Sequence, residues 1–248
     1  MFLTEPAPTP YDLRFNVAGV PVRVHPFFWL MAILLKATQN PRPDVVLIWT
    51  VAVFVSILVH ELGHAAAIRY FGWRPHVVLY AFGGLAVYEP TSHRTWPQVA
   101  IALAGPMAGF LLAAVVLLGV VLAGHAIRFD PSDLFSLPIR FEPFGSLLKL
   151  NLFINYMLFV NFFWGLLNLL PIYPLDGGRI AQELLRHWNP ADGMRQSLII
   201  SIAAAGGMAV IMYVKLHDVW AAFMFGYLAF INYQVLDQFD RHYRGRGW

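Results

Sequence analysis

The chain has 248 residues, 58% hydrophobic and only 12% charged, with a mean hydropathy of +0.59. Soluble domains are about half apolar and a quarter charged, so this balance excludes a soluble globular protein, and the apolar content excludes disorder. The formal charge of +3 comes from 17 Lys and Arg scattered through loops, with no run to track a phosphate backbone, which argues against nucleic acid as a partner.

Charge-free stretches at Thr95–Gly124, Leu150–Leu175, Gln196–Val214 and Val219–Leu236 run 30, 26, 19 and 18 residues, against roughly 20 needed to span a bilayer. The fold class they predict is an all-α integral membrane protein of about six transmembrane helices with a small membrane-associated β-hairpin. Residues 1–24 form an N-terminal tail with a place for short strands. Spans are expected near 25–36, 45–70, 96–124, 149–171, 195–215 and 218–237, followed by a basic cytoplasmic tail over 238–248.

In chain order, MFLTEPAPTPYD lacks the basic and apolar regions of a cleavable signal, and Pro6, Pro8 and Pro10 suggest a loose tail. Phe15–His25, around Gly19, reads as a short strand pair or as an apolar loop at the membrane surface. Val24–Leu35 offers only 12 charge-free residues, either a crossing or a partly inserted helix whose Lys36 snorkels. The second span opens with fifteen apolar residues, Val45–Val59, and then meets His60, Glu61 and His64. His76–Glu89 alternates apolar and small residues around Gly83-Gly84 and reads as a hairpin or, again, a surface loop. His125–Leu148 mixes aromatics with charges, an interfacial segment.

With six spans, eleven Lys and Arg fall on one face and six on the other, so the positive-inside rule places both termini in the cytoplasm. That count depends on the first span crossing. The expected location is a multi-pass prokaryotic cell membrane.

His60-Glu61-Leu62-Gly63-His64 is an H-E-x-x-H pentad on a strongly apolar helix. A separation of four places both imidazoles on one helical face, where they can grip one Zn²⁺ while the Glu reaches the metal's water. From nine His and five Glu in 248 residues, chance supplies roughly 0.007 such pentads. An ionisable group at the bilayer centre costs about 2.5–3.5 kcal/mol on insertion scales and marks function. With zero cysteines, ligands must be His or carboxylate.

A catalytic zinc needs a third protein ligand and an open position. Among the acidic residues only Glu61 and Asp176 sit in or against long apolar segments. Asp176 follows Pro171 and Pro174, which must break the fourth helix, and precedes Gly177-Gly178. The pentad lies about fifteen residues into an inward-running span, some 22 Å along, and the fourth span also runs inward to its break, so both reach the cytoplasmic half. His25 is a candidate supporting group. Asn168 either hydrogen-bonds substrate backbone or ties helices together. The G-x-x-x-G of Gly105 and Gly109 reads most simply as close helix packing.

Together, HELGH at 60–64 and NLLPIYPLDGGR at 168–179 resemble the intramembrane site-2 proteases, peptidase family M50, which include bacterial sporulation-factor proteases. The resemblance implies that His60, His64 and Asp176 are zinc ligands, one Zn²⁺ per chain, with Glu61 the catalytic acid/base and Asn168 a substrate-positioning residue. FGGLA at 82–86 looks like the family's membrane-embedded hairpin, making Gly83 and Gly84 candidate substrate-binding residues. The chain departs from the family's A-G-P-x-x-N by carrying Gly109 at the last position, and 248 residues leave no room for a PDZ or CBS domain.

The expected activity is hydrolysis of a peptide bond in or near the transmembrane segment of membrane-protein substrates, in regulated intramembrane proteolysis. Partners are those substrates, the lipid bilayer and a regulatory membrane protein. The alternatives are a membrane zinc hydrolase of a non-peptide substrate and a metal transporter, although a transporter should spread polar residues over several helices, and here they converge.

Overall fold

A computed structural model describes residues 5–81, 83–90, 94–130 and 137–244. Phe82 of the FGGLA stretch, His93, residues 131–136 of the interfacial segment and 245–248 of the expected tail lie outside them. Contacts group the chain into two compact units, residues 1–92 with 104–166 and residues 93–103 with 167–248.

Among the described residues, five helices are long and apolar enough to cross a membrane: α2 (Pro43–Tyr70), α3 (Thr95–Leu122), α4 (Leu148–Asn168), α6 (Gly193–Val214) and α7, membrane-competent over Val219–Arg241. A short apolar helix, α1 (Pro26–Ala37), precedes them, and α5 (Asp176–Trp188) lies between α4 and α6.

In the first unit, β1 (Leu13–Val17) pairs antiparallel with β2 (Val20–Val24), β2 parallel with β3 (His76–Tyr80), and β3 antiparallel with β4 (Gly83–Val87). Both sequence segments that read as strands or loops are therefore strands, joined in one sheet of order β1-β2-β3-β4. The β1–β2 turn is possible because Ala18 and Gly19 take φ of 49° and 82°, with the Gly19 amide donating to Asn16 Oδ1 at 2.7 Å. A hairpin of β5 (Ile127–Phe129) and β6 (Ile139–Phe141) adds structure within the expected interfacial segment.

The sheet explains how α1 works at 12 residues, or about 18 Å, short of the roughly 30 Å hydrocarbon core. The His25 amide donates to the Leu79 carbonyl at 2.9 Å, fixing the start of α1 to β3. At the other end, Trp49 Nε1 donates to the Ala32 carbonyl at 3.1 Å, and Lys36 Nζ lies 5.4 Å from the Trp49 ring and 4.8 Å from that of Tyr156. α1 thus runs antiparallel to α2, from a sheet beside the C-terminal third of α2 to its first turns. Because β2 and β3 share that sheet, the strands before α1 lie at the end of α2 where its chain exits. Valines 20, 22, 24 and 77 and Leu79 pack with Phe28 and Ala32 of α1 and Val53, Ile57 and Ala65 of α2 to form the core of this unit.

In the second unit, α6 and α7 pack around Ile172, Ala205 and Phe225. α4 stops at Asn168, three residues before Pro171, because proline can neither donate to the helix ladder nor tolerate a helical predecessor. The freed backbone is re-satisfied by neighbouring helices: the Tyr173 amide donates to Ser201 Oγ at 3.0 Å, and Asn232 Nδ2 donates to the Tyr173 carbonyl at 2.6 Å. The residues expected as a tail instead continue α7 to Arg244. An i,i+4 ion pair of Asp237 with Arg241 at 2.7 Å and a pair of Arg195 with Asp240 at 3.2 Å hold that extension.

Asn232 is fully buried, so its replacement by Ala leaves the Tyr173 carbonyl without this donor. Asn232→Ala should lower stability by about 1–3 kcal/mol, read as a fall in the unfolding midpoint of detergent-solubilised protein.

Candidate metal centre

α2 buries a stripe at Val53, Ile57, His60, Glu61, His64, Ala65 and Ile68. The i,i+4 spacing stacks His60 and His64 along one face, with ring centroids 4.8 Å apart and planes at 80°. Their Nε2 atoms stand 3.2 Å apart. Two ligands at about 2.0–2.1 Å from a tetrahedral zinc are separated by about 3.3 Å, so the observed gap, which is also hydrogen-bond distance, fits a shared metal. Donor atoms of His60, Glu61 and His64 all lie within 4.8 Å of one another, and all three residues are buried. Among the described residues this is the one such group. Imidazole and carboxylate on an apolar helix are a donor set that suits zinc.

Space for these side chains comes from missing Cβ atoms. A methyl on Gly105 would strike the His64 ring, and one on Gly84 would strike the Glu61 side chain. A methyl on Gly63 would meet the Ala104 carbonyl and the Ala108 side chain, so the pentad's own glycine lets α3 approach α2. The G-x-x-x-G of α3 therefore does more than bring helices together: Gly105 admits a histidine, and the Cβ of a residue at 109 would stand 3.5 Å from Asn161 Oδ1.

Sequence reading passed over the polar pair next to this site. Asn161 Nδ2 donates to Ser56 Oγ at 2.8 Å and to the Met157 carbonyl at 2.7 Å, and both side chains are buried at 2% exposure. Ser56 lies one helical turn before His60 and on the same face. The signal was available in the spacing: Ser56, His60 and His64 recur every four residues on a largely apolar helix.

Gly83 and Gly84 open β4, the sheet edge nearest the pentad, and Gly84 is in reach of Glu61. Gly83 has φ of +144° and presents its bare face to Trp164, whose Cζ2 would be 3.1 Å from an added Cβ. In the second unit, Asn168 ends α4 and Asp176 begins α5, both buried, at 8% and 7% exposure. A Cβ on Gly177 would strike the Leu169 carbonyl and one on Gly178 the Ile172 carbonyl, which is why the residues after Asp176 are glycines. His25 has a local task instead of one at the metal: Nδ1 accepts the Phe27 amide at 3.2 Å as N-cap of α1, and the ring packs against Phe27 and Tyr80. His76 pairs with Glu5 at 3.1 Å, while His125 and His187 lie on the rings of Phe144 and Trp96.

Comparison with known proteins places this arrangement. The model of peptidase family M50 matches residues 48–214. A zinc metalloprotease of Methanocaldococcus jannaschii is 28% identical over 180 residues, covering 71% of this chain and 46% of the relative. Stage IV sporulation protein FB of Bacillus subtilis is 31% identical over 162 residues, covering 64% of this chain and 46% of its own. The chain thus spans about half the length of these curated relatives. In fold, it matches the solved site-2 protease from Methanocaldococcus jannaschii with a TM-score of 0.54 at 24% identity, over 90% of this chain and 95% of that one.

Gly105→Ala should push the His64 ring off its position and reduce bound zinc well below that of the unaltered protein, measured by elemental analysis after purification without chelators. Gly119→Ala on the same helix, where a Cβ meets nothing within 4 Å, should leave zinc unchanged.

Proposed function

The chain belongs to peptidase family M50, and on that premise we propose that it is an intramembrane zinc metalloprotease, cleaving transmembrane segments of membrane proteins in regulated proteolysis. The observation that carries this reading is the buried His60–Glu61–His64 group on a 28-residue membrane-competent helix. A peptide bond hydrolysed there lies inside the membrane, not in an external domain.

In this reading His60 and His64 would hold one zinc, and Asp176, at the break after α4, would supply the third ligand. Such an ion would lower the pKa of its water from 15.7 toward about 7 and polarise the scissile carbonyl. The Glu61 carboxylate takes the proton of the attacking water and delivers it to the leaving amine nitrogen. Asn168 hydrogen-bonds and positions the substrate backbone. The pentad lies in the cytoplasmic half, with both termini cytoplasmic. The sheet supports one part of this, the N-terminal strands and the exit of α2 lying on one side.

A helical substrate hides its scissile carbonyl in its own hydrogen bonds, so it must unwind, and an extended segment can pair with the open edge of β4. The two edges of the sheet differ in a way that supports this. β1 carries the exposed Arg14 at its second position, a charge that blunts strand addition, whereas β4 reads Gly-Gly-Leu-Ala-Val. β4 is also the strand that touches Glu61, through Gly84.

Glu61→Gln should keep its zinc and lose about 10²–10⁴-fold in cleavage, measured as new N-termini in the membrane proteome of host cells producing each form. Asp176→Asn should lose zinc as well, and full zinc retention by a folded Asp176→Asn protein would remove that residue from the ligand set.

Successive strand amides point to opposite sides, so of Leu85→Pro and Ala86→Pro one deletes an outward N–H of β4. That variant should keep its zinc and its unfolding midpoint while cleavage falls. Undiminished cleavage by both folded variants would refute strand addition.

A further inference from the structure

The start of β4 lies between two side chains from different helices. A Cβ on Gly84 would run into Glu61 of α2, and a Cβ on Gly83 would stand 3.1 Å from Cζ2 and 3.6 Å from Cη2 of Trp164 on α4. Adjacent residues of a strand face opposite sides of the sheet. The strand therefore has a Glu61 side, where the chemistry takes place, and a Trp164 side. Trp164 is half-buried, its ring packed partly against the core of the first unit.

From this geometry we infer that Trp164 is a specificity-determining residue, the floor of a subsite for a large apolar side chain of the substrate. The inference rests on the proposed pairing of an extended substrate with β4. In an added strand, side chains register with those of the strand beside them. The substrate residue level with Gly84 lies on the Glu61 side. The one level with Gly83 is its immediate neighbour in sequence, and it turns to the Trp164 side.

Two glycines in succession leave both faces of the strand bare at this level, so the incoming side chains meet Glu61 and the indole directly instead of β4's own side chains. An aromatic platform half covered by apolar residues favours leucine, methionine, phenylalanine and their like, and disfavours glycine or a charge at that one position. Pairing in either polarity keeps the subsite next to the reacting residue and changes only whether it precedes or follows it.

The test uses the purified full chain in detergent and a synthetic library of apolar, helix-disfavouring peptides, each randomised at one position and read by mass spectrometry. The unaltered protein should prefer large apolar residues at one position immediately beside the residue whose carbonyl is attacked. Trp164→Ala should flatten that preference by about tenfold or more, while preferences at other positions hold. Trp164→Phe, which keeps an aromatic floor, should retain most of it.

A structural role alone lowers cleavage of all peptides equally and leaves the profile unmoved. That result, in variants with normal zinc content and unfolding midpoint, overturns the inference. If Trp164→Ala does not fold, Trp164→Leu against Trp164→Phe gives the same comparison. A library cut no faster by the unaltered protein than by Glu61→Gln overturns the protease reading, and this inference with it. A cut library with an unmoved profile overturns the inference alone.

Discussion

The first unit is built around two imidazole nitrogens held 3.2 Å apart in a largely apolar helix. Water would solvate such groups cheaply at a surface, but inside a bilayer a polar group is tolerated only where protein or a water-filled cavity surrounds it. The first unit meets that demand on three sides: α3 closes against the pentad through Gly63 and Gly105, the sheet reaches Glu61 through Gly84, and Ser56 with Asn161 extends the polar stripe by one turn. The stripe is the buried polar face of α2.

Glycine does much of this work by leaving room. At positions 63, 84 and 105 a single methyl would collide with the His64 ring, the Glu61 side chain or the neighbouring backbone of α3. In a soluble enzyme a loop can be lengthened to make such room. Between straight helices packed 8–10 Å apart the freedom is smaller, and removing side chains is the remaining way to fit an imidazole and a carboxylate among them.

The sequence revealed the chemistry more readily than the packing. H-E-x-x-H shows through spacing alone which side chains share one helical face, and the proline pair at 171 and 174 announces the break that ends α4. The buried face of α2 cannot be read from hydropathy, because the lipid side is as apolar as the core, so Val45–Val59 shows no periodicity to follow. Only the polar residues trace that face, which is why Ser56 was legible in principle and Asn161, on another helix, was not. The pairing of β2 with β3 was hidden for another reason: 51 residues separate the two strands, including both helices, and no local pattern encodes a contact of that range. The continuation of α7 past residue 237 was missed because charge there reads as a tail, whereas ion pairs with Arg241 and Arg195 make it a helix surface.

The ends of α2 are each tied to something other than lipid. Near its start, Trp49 is held by the Ala32 carbonyl and by the ammonium of Lys36, and at its finish the guanidinium of Arg69 grips the carbonyl of Ala18 in the β1–β2 turn. A beam supported at both ends has less freedom to slide or pivot than one held by lipid alone. Misplacement by one ångström can cost a reaction roughly a hundredfold. Supports at both ends of α2 leave less of that tolerance to be met by the helix itself, and more by the elements packed beside it.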